Sequence, residues 1–165
     1  MVKSSISVAA LVIGIVAFPT FALADGGTSC ATAQEIFPNG AYSGDTSTST
    51  NFIGAFGALP SPGPDLAFKF TGGVVNGVID VTITGGWNAG AVITAACAGN
   101  AGNPISAGTS TTVMSIPVLD NGHPLTSGMT YYFYITGNPS DNSGPSGVFT
   151  FTTSFPVTLQ SFEID

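Results

Sequence analysis

Apolar and polar residues alternate with a period of two along much of this chain. Leu66, Phe68 and Phe70 alternate with Ala67, Lys69 and Thr71, and Ile79, Val81 and Ile83 alternate with Asp80, Thr82 and Thr84. Met114, Ile116 and Val118 alternate with Val113, Ser115 and Pro117. Met129, Tyr131, Phe133 and Ile135 form one face of the clearest run, with Tyr132 and Tyr134 on the other. Phe149 and Phe151 alternate with Thr150 and Thr152. Successive side chains of a strand point to opposite faces of its sheet, so each run predicts a half-buried β-strand. The segment from Ala91 to Ala96 is apolar in both phases, which predicts burial on both sides. Leu66, Phe68, Phe70, Ile79, Val81, Ile83, Tyr131, Phe133, Phe149 and Phe151 are expected to share one core.

Turn chemistry separates the runs. Asn39-Gly40, Asn76-Gly77 and Asn121-Gly122 accept the positive φ of tight turns. Pro60-Ser61-Pro62-Gly63-Pro64 cannot sit inside a sheet, because proline lacks the N–H a ladder needs. Only Ala31 to Phe37 could form a helical turn. About eight short strands without crossover helices predict an all-β fold, an antiparallel β-sandwich or jelly roll.

The two ends depart from this pattern. Lys3 precedes an uncharged apolar stretch from Ile6 to Phe21, and Ala22-Leu23-Ala24 supplies small residues at a cleavage site. That is the layout of a secretory signal. Residues 1–24 are read as a cleaved signal peptide, with the mature chain starting at Asp25. The apolar run is near the short limit for a spanning helix, so no membrane span is expected after cleavage. At the other end Val157 and Leu159 share one phase while Phe162 and Ile164 share the other. This slip predicts a bulge or a segment that leaves the domain. The expected organisation is a sandwich domain over 25–154 and a tail or last strand over 155–165.

Charge narrows the partners. Nine Asp and Glu face two Lys and Arg, for a net charge of −7. After Ala24 the only base is Lys69. Such a surface repels phosphate and argues against nucleic acid and anionic membrane. Charged residues make up 7% of the chain against a usual figure of about 25%, so Thr, Ser, Asn and Gly carry its solubility. In an exported chain the two cysteines, Cys30 and Cys97, read as one disulfide tying the N-terminal segment to a mid-domain strand, with two free thiols as the alternative.

Four stretches resemble the bacterial pre-peptidase C-terminal domain, a secreted jelly-roll-like sandwich. They are Cys30-Ala31-Thr32-Ala33 with Tyr42-Ser43-Gly44-Asp45-Thr46, Pro64-Asp65-Leu66-Ala67-Phe68-Lys69-Phe70-Thr71, Leu125-Thr126-Ser127-Gly128-Met129-Thr130-Tyr131-Tyr132, and Gly147-Val148-Phe149-Thr150-Phe151. Their order follows the family's. Gly85-Gly86-Trp87-Asn88-Ala89-Gly90 stands where the family usually shows an acidic stretch. The resemblance implies a module that assists export, localisation or substrate attachment, here with no hydrolase attached.

Candidate chemistry is sparse. His123 is the only histidine; it sits in a turn, and no nucleophile elbow accompanies it. One His and two paired Cys cannot build a usual zinc site. The nine acids are scattered, mostly at turns, where Asp commonly bonds its own backbone, and Asp65 and Asp80 flank predicted strands. Calcium is the metal these loops could hold, with Asp120 and Asp141 as ligands, although neither loop has EF-hand spacing. Trp87 is the only tryptophan. Its ring either stacks on a sugar, with Tyr132 and Tyr134 extending the platform, or folds over the sandwich edge and covers the core.

The sequence therefore points to a secreted, periplasmic or cell-surface bacterial module without catalytic activity, used for binding, adhesion or localisation. Its expected partners are a polysaccharide or another extracellular protein. A carbohydrate-binding module built on Trp87 and the tyrosines is the alternative. A secreted hydrolase is third, and the absence of a nucleophile–base pair counts against it.

Overall fold

The computed structural model describes residues 26–73, 76–138, 140–141 and 143–156. The expected signal peptide, Asp25 and all of the tail beyond Pro156 lie outside the described residues. In chain order the strands are β1 (Gln34–Glu35), β2 (Ala41–Asp45), β3 (Ala55–Phe56), β4 (Leu59–Pro60), β5 (Leu66–Thr71) and β6 (Gly77–Ile83). They continue with β7 (Ala89–Thr94), β8 (Ser106–Ser110), β9 (Val113–Asp120), β10 (His123–Pro124), β11 (Thr130–Gly137) and β12 (Val148–Ser154). One sheet runs β1-β5-β11-β7-β8 and the other β10-β9-β6-β12-β2, while β3 and β4 form a small separate ribbon. The all-β sandwich is as the alternation predicts.

The two large sheets bury their facing side chains against each other. All ten residues expected to share a core belong to one buried cluster. Phe133 on β11 and Phe151 on β12 meet edge to face with ring centroids 5.2 Å apart, and Phe68 on β5 meets Phe151 in the same way at 4.8 Å. These are favoured aromatic geometries, because the ring edge is positive and the ring face negative.

Several expectations need correction. Met129 does not join the inner face of β11; it precedes the strand and is exposed. Ala31 to Phe37 holds β1 rather than a helical turn, and β1 runs parallel to β5. No crossover helix is needed, because the chain passes through β2 in the opposite sheet before returning to β5. Cys97 lies in the loop after β7, not on a strand. β8 shows no apolar alternation: at Gly108, on its inner face, a Cβ would come within 2.7 Å of Ile116 Cδ1, and Ser106 and Ser110 share that phase.

The first sheet is covered on its other face as well. Ala67, Val92 and Tyr134 point outward from β5, β7 and β11 and pack with Ala33, Ile53, Phe56 and Ala101 into a second buried cluster. This explains the burial of every residue of β7. The covering layer comes from the β2–β5 connection and the loop after β7. The two segments are joined by Gly54 N–H to Gly99 O at 2.8 Å and Ala101 N–H to Ala55 O at 3.1 Å. Asn100 clamps Gly57 from both sides, accepting its N–H and donating to its carbonyl, each at 3.1 Å.

Candidate functional site

The outer layer gathers Asp65, Ser61 and Thr136, three of the buried polar residues. At its base is Asp65, which follows the proline-rich loop and has no exposed surface. Its Oδ2 accepts the backbone N–H groups of Phe52 at 3.1 Å and Ile53 at 2.9 Å. Its own N–H donates to Thr50 O at 3.1 Å, and Ser49 Oγ donates to its carbonyl. Asp65 thus fastens both ends of the 49–65 loop. Its Oδ1 has no hydrogen-bond partner. The neighbouring hydroxyls of Ser61 and Thr136 lie 2.8 Å apart and bond each other. Burial pushes the Asp65 carboxyl up to about 6, and Thr136, the Ile53 and Phe52 N–H groups and Ser61 offset part of the rise. Burial also raises the Tyr134 phenol above its ordinary range, with Tyr132 and Asp65 adding to it against the pull of Thr94.

Cys30 and Cys97 are bridged, with Cα atoms 5.5 Å apart. That separation suits an unforced disulfide. The bridge pins the segment before β1 to the loop after β7, so the outer layer is held by a covalent bond as well as by Asp65.

Between this layer and β8 lies a cleft of about 100 Å³, lined mainly by Phe56, Leu59, Val92, Pro104, Ala107 and Thr109. Leu59 is exposed at its mouth. Asn138 and Ser140 form a polar side, and Asp141 follows directly. Ser143 holds Asp141 Oδ1 through its N–H at 3.0 Å and its Oγ at 2.6 Å, while Asn88 Nδ2 donates to Oδ2 at 3.3 Å. These donors keep the Asp141 carboxyl below the usual carboxylate range.

The residues singled out for ligand binding do not form one platform. Trp87 packs against the inner core, whereas Tyr132 and Tyr134 belong to the outer cluster. Trp87 is half-buried, and its Nε1–H donates to Val148 O at 3.1 Å. It lies over Gly147, where a Cβ would come within 2.5 Å of the indole. The ring therefore folds over the sandwich edge. Tyr134 has no exposed surface, and its Oη donates to Ala96 O at 3.3 Å. Tyr132 is half-buried and stacks on Tyr134 with centroids 6.4 Å apart.

The two carboxylates considered for calcium stand in different connections. Asp120 ends β9, where its Oδ1 accepts Asn121 Nδ2 at 2.9 Å, and Asp141 lies between β11 and β12. No group of three or more His, Cys, Asp or Glu side chains comes together among the described residues. His123 is exposed at the β9–β10 turn.

Sequence reading missed the burial of Asp65 and the whole outer cleft. One signal was present. Ala67, Val92 and Tyr134 fall in the phase opposite to the inner core, and that phase contains too little polar surface for a solvated face. No helix among the described residues is long and apolar enough to cross a membrane. Compared with family models, curated proteins and solved structures, the chain matches none.

Proposed function

We propose that this chain is an exported β-sandwich without catalytic activity that binds an extracellular partner through the outer face of the β1-β5-β11-β7-β8 sheet. One observation carries the reading: a loop layer stapled by Cys30–Cys97 and seated on Asp65 builds a preformed apolar cleft with a polar side. A concave apolar site with a few placed polar groups is the usual form of a binding site. A disulfide also suits the periplasm, the cell surface or the medium. The resemblance to pre-peptidase C-terminal domains supports a role in localisation or attachment, in keeping with that compartment.

Retention on isolated cell-envelope fractions tests this reading. The mature chain should be retained, and Leu59→Glu, which sets a charge at the mouth of the cleft, should be released. Equal retention of the two proteins rejects the cleft as the binding face. Turnover of an envelope substrate by the purified chain rejects a non-catalytic role.

The carbohydrate reading rests on Trp87, whose half-buried ring keeps part of its surface accessible beside Gly85 and Gly86. A Cβ at either glycine would meet nothing within 4 Å, so that side of the loop is open.

A further inference from the structure

We propose that β8 and the neighbouring cleft take an extended polypeptide segment by strand addition. One aliphatic side chain enters the cleft and a lysine or arginine lies against Asp141. The proposal rests on the reading that the outer face is the binding face, and it names the class of partner.

The first argument is the edge itself. The two large sheets end in β1, β8, β10 and β2. β1 and β10 have two residues each, with Glu35 in one and Pro124 in the other, and β2 ends in Asp45. Shortness, charge and proline are the usual devices that stop a sheet edge from pairing. β8 has none of them. It is five residues long, reads Ser-Ala-Gly-Thr-Ser, and pairs only with β7 among the described residues. Its unpaired side offers backbone N–H and C=O groups flanked by short side chains.

The second argument is the cleft. Ala107 and Thr109 project from β8 on the outer face and form one wall, opposite Leu59, Phe56 and Pro104. An added strand would send alternate side chains to that face, where one of them meets the cleft. A volume of about 100 Å³ suits a valine or leucine side chain. Phe56 is buried, so no open aromatic face is offered to a sugar ring.

The third argument is charge. Asp141 follows Ser140, which lines the polar side of the cleft, and its N–H donates to Asn138 O at 2.8 Å. The one basic side chain among the described residues, Lys69, lies on β5, separated from β8 by β11 and β7. No basic residue from this chain's described part competes for Asp141, so a cationic residue in the partner is favoured there.

The test uses the mature chain and a fluorescein-labelled probe peptide, acetyl-Thr-Lys-Val-Thr-Val-Thr-Lys-Thr-amide, followed by anisotropy. Binding is expected with a dissociation constant below about 1 mM. N-methylation of the peptide at alternate residues, made in both phases, should weaken binding at least about tenfold in the phase that faces β8 and less in the other. Ala107→Phe fills the cleft from an exposed position and should weaken binding by a similar factor. Asp141→Asn keeps the Ser143 contacts and should weaken binding about threefold, with a smaller salt dependence. No binding at 1 mM peptide, or N-methylation without effect in both phases, overturns strand addition. Self-association of the chain that Ala107→Phe abolishes overturns it in favour of a second copy on β8. Loss of envelope retention in Leu59→Glu with no peptide binding leaves the binding face standing and removes only the strand-addition proposal. Peptide binding without envelope retention does the reverse.

Discussion

Ile53 N–H donates to Asp65 Oδ2 at 2.9 Å inside the protein, where neither residue has exposed surface. A loop amide and a carboxylate at the foot of β5 thus define how the outer layer sits on its sheet. Asp65 Oδ1 is unpaired, and the Ser61 and Thr136 hydroxyls are the side chains near enough to influence the carboxyl.

The Asp65 carboxyl titrates near 6 in the folded chain against an ordinary value of 3.8. The folded state therefore holds the proton more tightly. The resulting stability is fully present below 3.8 and is lost as the pH rises through 6. The shift corresponds to roughly 3 kcal/mol at most. Asp65→Asn keeps an acceptor for the Phe52 and Ile53 N–H groups and adds a donor facing the hydroxyls. It should be more stable than the native chain at pH 7.5, with the advantage shrinking towards pH 4. Urea denaturation at both pH values checks this, and an advantage that does not depend on pH would count against the assignment.

The Cys30–Cys97 bridge closes a loop with a sequence separation of 67. On the chain-entropy account, removing it should cost about 4 kcal/mol. Mass spectrometry of the protein before reduction should find both thiols blocked. Reduction should loosen the outer layer before the sandwich, because the bridge lies outside the inner core. Hydrogen exchange would then rise first at Phe52 to Gly57 and later at Phe133; simultaneous loss of protection would refute that order.

Phe133 is fully buried between Phe68 and Phe151. Phe133→Ala should cost about 3–5 kcal/mol. Gly108→Val should also destabilise the fold, since Ile116 already occupies the space for its side chain. A Phe133→Ala loss below about 1 kcal/mol would mean that β11 has the opposite register.

The Trp87 ring, anchored by Val148 O, should emit with a blue shift and resist collisional quenchers in part. Trp87→Phe removes that hydrogen bond and should cost about 1 kcal/mol. Emission should stay unchanged when soluble polysaccharide is added. A shift on addition would revive the indole as a sugar platform.

The strands that alternate strongly were legible in the sequence. Leu66 to Thr71, Ile79 to Ile83 and Phe149 to Thr152 all lie within β5, β6 and β12, because one face of each strand is core. β8 was not legible, since Gly108, which faces Ile116, and the serines that share its phase give no apolar period. The bridge was legible from composition, because an exported chain with one cysteine pair has one intramolecular pairing. The cleft was not. It depends on how two irregular segments meet over Val92 and Tyr134, and periodicity carries no information about loops. Asp65 read as a turn residue, and it does hold a turn-like loop; its burial follows from tertiary packing.

β2 belongs near the start of the sandwich, yet its only strand partner among the described residues is β12, at the end of the described chain. β12 also separates β2 from β6, so the second sheet lacks an inner member until β12 is in place. Pairings so distant in sequence fold slowly, because chain entropy is lost before contacts return it. A polypeptide that emerges from its N-terminus first therefore keeps this sheet open until β12 has been made. Delayed closure of this kind leaves the facing side chains of the other sheet uncovered, so the position of one late strand governs when the core is sealed.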